Sequence, residues 1–315
     1  MAQLIKLQDY ISRYEQDIFK YPSRYMRLKN KQWDGVADSW EHRMDSIQSP
    51  GNPGQESDED KKPMVQKMRE KFFGERNGQD PWMDKQASVP IEEEMDRMPE
   101  STGLLKAKSV DELKQLFLDS LLPFQLKWAS STLAEKSFAD NGFLDDGILK
   151  YFLQRFPDTV LVMYKPVFLL KKAPVEGEVI LLTPTAVWCI KLLEDEGDAV
   201  FIGSKEHFWP LKRAREETKI LNPLLALERT GKIVTNVLSS FDVDMPVHQA
   251  ILCRNGYIDY SLSPYGIKFI DKRNYEDWFQ TMRGQRSPLK HVQLKAAQTL
   301  LQFCMTTSVR RLEWK

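Results

Sequence analysis

The chain holds 315 residues, and its 45 lysines and arginines are matched by 45 aspartates and glutamates. That neutrality excludes attraction to nucleic acid through bulk positive charge, and equally a solvating acidic tail. The length suits about two domains at ~150 residues each, and no run reaches the ~18 consecutive apolar residues that span a bilayer.

In chain order, Leu4, Leu7, Ile11, Tyr14, Ile18 and Tyr21 recur at spacings of three and four, which predicts an amphipathic helix over the first twenty residues. The opening Met-Ala-Gln-Leu-Ile-Lys lacks a signal-peptide pattern, so a cytoplasmic protein is expected. Pro22 interrupts, and a second helical run follows through Arg24, Tyr25, Leu28, Trp33 and Trp40, giving a helical region over residues 1–45. Within it Lys20, Arg24, Arg27, Lys29 and Lys31 interleave with Tyr21, Tyr25 and Trp33. Such a set suits a phosphate backbone with bases stacked on the rings. It suits equally a solvated basic face paired with acids further along the chain.

Residues 46–103 read as a flexible, largely disordered linker. Ser49-Pro-Gly-Asn-Pro-Gly54 precedes Glu56, Asp58, Glu59 and Asp60, and Pro81, Pro90 and Pro99 follow. This segment accounts for much of a low mean hydropathy of -0.48. Met64, Met68 and Phe72 behind Pro63 predict a short amphipathic helix at 63–73, a candidate docking segment for a protein partner alongside the N-terminal helices.

Residues 104–315 carry the pattern of a folded domain. Ser109 and Glu112 form a capping-box signal ahead of Leu113, Leu116, Phe117, Leu121 and Leu122. Asp145 or Asp146 opens a helix bearing Ile148, Leu149, Phe152, Leu153 and Phe156. The period then shifts to that of strands at 159–164, 178–183, 187–193 and 199–202, an antiparallel meander. Asn222 and Pro223 supply an N-cap and first-turn proline. A strand at 247–253 follows, with Asn255-Gly256 as a hairpin signal before a strand at 267–270. Helices at 275–282 and 289–304 close the chain. The three cysteines, Cys189, Cys253 and Cys304, are scattered among apolar neighbours as in a reducing compartment. The four histidines show no zinc-site spacing.

The stretch from about Asp145 to Met282 resembles the nuclease-related domain, NERD, a bacterial branch of the metal-dependent, restriction-nuclease-like PD-(D/E)xK fold. The resemblance rests on the run Asp145–Leu153, on Glu178–Lys191 with its Thr183-Pro184 turn between two apolar strands, and on Asn222-Pro223. It implies an α/β (α+β) architecture, a three-layer core with a mixed sheet, beside the helical N-terminal region and the linker. It also implies a site in which an acid on the entry helix, an Asp before the hairpin and a Glu-x-Lys on the second strand gather Mg²⁺ or Mn²⁺. Glu and Lys two apart on a strand share a face.

This sequence departs from that pattern. Asp146 stands for the helix acid and Glu178 for the hairpin Asp, but the Glu-x-Lys becomes Lys191-x-Leu193. Glu194 lies one residue beyond and faces away from a regular strand's site face unless a β-bulge turns it. Leu225, Ala226 and Leu227 occupy the place of a family glutamine. These losses imply a catalytically inactive protein without a cofactor, a nucleic-acid-binding or scaffolding factor whose partner is DNA, RNA or a protein. Two alternatives stand beside it: an active Mg²⁺- or Mn²⁺-dependent nuclease using Asp146, Glu178 and a displaced Glu194, and an adaptor with no nucleic-acid contact. Read alone, Asp146 is a helix N-terminal acid, Lys191 a lysine snorkelling from a strand, and Glu178 a solvated strand start.

A second constellation follows at Ser204–Trp209 with Lys212, Arg213 and Arg215. Lys205, His207, Lys212 and Arg213 would contact nucleic acid from a loop, or else Phe208 and Trp209 anchor that loop on the core. No P-loop, dinucleotide fingerprint or serine-nucleophile elbow occurs.

Overall fold

The computed structural model describes residues 1–48, 101–171, 173–195, 197–214, 216–261, 264–285 and 287–311. The helix expected at 63–73 and most of the expected linker lie outside the described residues; at the linker's two ends the chain is helical. In chain order the elements are β1 (Gln3–Leu7), α1 (Tyr21–Gln48), α2 (Val110–Trp128), β2 (Glu135–Lys136), α3 (Gly147–Gln154), β3 (Leu161–Tyr164), β4 (Val167–Leu170), β5 (Ala173–Glu176), β6 (Val179–Leu182) and β7 (Val187–Leu192). They continue as β8 (Val200–Gly203), β9 (Phe208–Lys212), β10 (Glu217–Leu221), α4 (Pro223–Ser240), β11 (Val247–Leu252), β12 (Tyr257–Tyr260), β13 (Ile267–Ile270), α5 (Tyr275–Arg283), α6 (His291–Gln302) and β14 (Val309–Arg310).

Two compact units divide the chain: Met1–Ser23 with Gln125–Lys315, and Arg24–Phe124. In the second, α1 and α2 meet through Trp33 on Phe117 (5.1 Å between ring centroids) and Tyr25 stacked on Phe124. The Trp40 Nε1–H donates to the Ala107 carbonyl at 2.9 Å. Ser109 caps α2 by accepting from Glu112 N.

The first unit is built on a six-stranded mixed sheet of order β1-β3-β6-β7-β11-β13. The antiparallel meander β3-β6-β7 is the one expected, and β11 then runs parallel to β7. Its β3 and β6 are continuous apolar runs because both faces are covered. Gln249 on β11 and its register partner Cys189 face α4, where Gly231 leaves no room for a Cβ against the Gln249 side chain. Trp188, on the opposite face, meets Trp278 of α5 at 6.3 Å. The result is a mixed α/β, three-layer arrangement.

Three local expectations are corrected. Residues 3–7 form a fully buried strand parallel to β3 rather than a helix; the Lys6 ammonium, with no exposure, is held by Glu15, the Tyr10 carbonyl and Thr306. The run at 199–202 leaves the meander. As β8 it joins a second, four-stranded sheet of order β10-β9-β8-β12, and the expected loop at 204–209 ends in β9. Asn255-Gly256 turns into the unanticipated β12, while β13 pairs with β11 in parallel.

Candidate functional site

Asp146, Glu178, Lys191 and Glu194 lie toward the end of the six-stranded sheet where β3, β7 and β11 end and β6 begins. Glu178 and Lys191 are on the α4 face, and Asp146 and Glu194 on the other. Asp146 is the N-cap of α3. Its Oδ1 accepts from Ile148 N and Leu149 N at 2.9 Å each, satisfying two of the helix's orphan donors. Its Oδ2 accepts from the Tyr164 hydroxyl at the end of β3 at 2.7 Å. Burial, reinforced by that bond, holds the Tyr164 phenol well above its ordinary range.

Glu178 immediately precedes β6, and its backbone N–H donates to Thr230 Oγ1 of α4. The Lys191 ammonium on β7 donates to Glu178 Oε1 at 2.8 Å; the two side chains are 30% and 14% exposed respectively. A part-shielded charge-assisted bond of this kind is stronger than a solvated surface pair. A groove of about 410 Å³ runs along α4, lined by Leu170, Val175, Leu225 and Arg229 among others, and neither Glu178 nor Lys191 lines it. Leu193 shares the Lys191 face and is buried.

Glu194 takes the opposite face, in the orientation a regular strand dictates, and its two oxygens are held by Arg254 Nε and, at 2.7 Å, by Arg254 Nη2. The Arg254 guanidinium lies 4.0 Å from the Tyr151 ring centroid, and the Tyr275 hydroxyl donates to Tyr151 at 3.0 Å. Burial pushes the Tyr151 phenol up as well. This arginine–glutamate–tyrosine cluster was not anticipated. Its members come from four elements, and the only signal in the sequence is that Glu194 and Arg254 each follow a strand.

A divalent cation does not fit these acids. Both oxygens of Asp146 accept N–H or O–H donors, Glu178 is engaged by an ammonium, and Glu194 by a guanidinium. Among the described residues no group of three or more His, Cys, Asp or Glu side chains is placed to hold a metal ion. The thiols are unsuited to nucleophilic attack near neutrality: burial pushes Cys253 up to about 11 and Cys189 and Cys304 up to about 12.

The basic candidates divide. Lys20 lies in the first compact unit, and Arg24 and Arg27 in the second. The aromatic residues interleaved with them, Tyr21, Tyr25 and Trp33, are buried and so are not stacking surfaces for bases; Lys29 is buried too. Lys205 and His207 are exposed ahead of β9, and Lys212 is exposed at its end. Arg213 is drawn onto Asp195 by Nε and Nη2, at 2.9 and 2.6 Å. Trp209 is fully buried, while Phe208 is 49% exposed. No helix among the described residues is long and apolar enough to cross a membrane.

No protein-family model matches the chain, and no solved structure matches it. A curated relative from Geobacillus stearothermophilus, named RNA 2',3'-cyclic phosphodiesterase, is 35% identical over 127 residues, which is 40% of this chain and 36% of the relative. The match thus spans about a third of that relative's length. It overturns the expectation of a catalytically inactive scaffold, because the similarity is to a protein named for phosphodiester chemistry on RNA.

Proposed function

We propose that this chain is a phosphodiesterase module acting on RNA, and that the Lys191–Glu178 pair is its reacting centre. The observation that carries this reading is the 35% identity over 127 residues to a protein named for that activity. The sheet edge supports it chemically, because a cation and a carboxylate lie 2.8 Å apart, part-shielded from water, where β6 begins and β7 ends.

In this reading Lys191 holds a non-bridging phosphate oxygen and balances the charge that grows on it. Glu178 takes a proton from the attacking water as the new P–O bond forms. The P–O bond to the ribose oxygen breaks, and that oxygen leaves with the proton that Glu178 gives back, giving a phosphate monoester and restoring the carboxylate. Asp146 and Tyr164 fix the start of α3 on the opposite face of the sheet. Glu194 and Arg254 brace the other face and touch no reacting atom.

The test is hydrolysis of 2',3'-cyclic mononucleotides and of oligoribonucleotides ending in a 2',3'-cyclic phosphate. E178Q and K191M are expected to slow turnover roughly 10²- to 10⁴-fold, the usual contribution of a positioned proton acceptor or charge donor. Absence of turnover by the unaltered chain, or full activity of both variants, would overturn the proposal.

A further inference from the structure

The second sheet has two unlike faces. In the registers that join its strands, Phe201, Trp209, Leu211 and Ile258 share one face and are buried. That inner face is tightly packed, since a Cβ on Gly203 would fall 2.0 Å from Tyr260 Cδ2. Strand alternation sends Phe208 and Lys212 of β9, Lys219 and Leu221 of β10, and Tyr257 of β12 to the other face. There Phe208 and Leu221 stand opposite each other in register, 49% and 55% exposed. The Arg273 guanidinium lies 5.9 Å from the Tyr257 ring centroid, and its side chain is 65% exposed.

We infer that the outer face of β10-β9-β8-β12 is a platform for single-stranded RNA, with bases stacked on Phe208 and on the Tyr257–Arg273 pair and the backbone passing Lys212 and Lys219. The inference rests on the RNA phosphodiesterase reading and names where the strand lies. An exposed aromatic ring on a sheet face offers every base a π-surface, and an arginine plane does the same. Glu217, the register partner of Lys212, and Asp259 on β12 balance much of the positive charge. The face is therefore matched to unpaired bases more than to a phosphate backbone, which disfavours a duplex. Its position fits the function, because β8 and β12 continue from the ends of β7 and β11, the edge that carries Lys191 and Arg254.

The experiment measures fluorescence anisotropy of a labelled twelve-nucleotide oligouridylate and of an RNA hairpin, against salt concentration. F208A is expected to weaken single-strand binding about fivefold or more, the lower end for loss of a stacking ring. K212A combined with K219A is expected to flatten the slope of log affinity against log salt by about 1.4, at ~0.7 per phosphate contact. Both variants carry exposed substitutions, should keep the unaltered urea midpoint, and should still hydrolyse a cyclic mononucleotide too small to reach the platform. Unchanged single-strand affinity in F208A and an unchanged salt slope in the double variant overturn the platform, as does equal binding of the hairpin. Weakened binding in F208A supports it even where no substrate is hydrolysed, an outcome that removes the phosphodiesterase reading alone.

Discussion

The two sheets of the larger unit solve the burial problem differently. In the six-stranded sheet, β3 and β6 are Leu-Val-Met-Tyr and Val-Ile-Leu-Leu, buried at every position because helices cover both faces. In the four-stranded sheet, β9 reads Phe-Trp-Pro-Leu-Lys and buries only alternate side chains. The first arrangement leaves chemistry nowhere to stand except where strands end, which is where Glu178, Lys191, Asp146 and Arg254 sit. The second leaves much of one face wet. A reacting centre needs the shielding of the one, and a long flexible substrate needs the open area of the other.

The contrast is broken most directly by truncation. Ile190, fully buried between Val179 and Ala250 in register, is expected to cost about 2–5 kcal/mol as Ile190→Ala, from lost transfer energy plus a residual cavity. Lys219→Ala on the wet face should stay within about 0.5 kcal/mol. Urea unfolding curves of both variants decide it, and equal costs would mean that the two faces are not differently packed.

A smaller effect tests the dry side of the second sheet. Gly203→Ala drives a methyl group into the Tyr260 ring, which is itself stacked on Phe269 at 5.2 Å and edge-on to Trp209 at 5.6 Å. Overpacking of this kind costs about 1–3 kcal/mol. The same urea titration should show a lowered midpoint; no change would mean that Tyr260 swings aside freely and that the inner face is loosely packed.

The same difference explains what could be read from sequence. Continuous apolar runs announce themselves, so β3, β6 and β7 are legible, as are α3 and α4 through Asp146 and the Asn222-Pro223 start. The strand β10, Glu-Thr-Lys-Ile-Leu, pairs with β9 through residues that look like loop on their own. Pro210 and the charges mask an alternation that acquires meaning only once the pairing is known. At the N-terminus, spacings of three and four matched a helix by coincidence, while residues 3–7 form a buried strand that carries a lysine at position 6. What permits that strand is Glu15, which reaches back to the Lys6 ammonium and lets a charged residue sit inside a sheet. At the site edge, Asp146 could be read as a metal ligand or as a helix cap, and the cap's two N–H bonds decide between them. The Glu194–Arg254 pair joins residues sixty positions apart, a separation across which a single sequence carries no pairing signal.

The smallest expected effect joins the two sheets. Asp271 follows β13 of the six-stranded sheet, and its Oδ2 accepts from Ile258 N of β12 in the four-stranded one at 3.1 Å. Burial works against its charge, but hydrogen bonds from the Arg273 guanidinium and from the N–H groups of Ile258 and Arg273 outweigh it. They hold the carboxyl below its ordinary range. A carboxyl depressed in the folded state contributes stability that is complete above the unfolded pKa, ~3.9 for Asp, and is lost as pH falls through the folded value. Stability of the unaltered chain should therefore decline below about pH 4 partly through this residue. Asp271→Asn, which keeps the size but cannot ionise, should lower stability near neutrality and flatten the acid limb of a thermal-midpoint profile. An acid limb equally steep in the variant would show that the two sheets are not coupled through this carboxylate, and that their differences in packing extend to independence in acid.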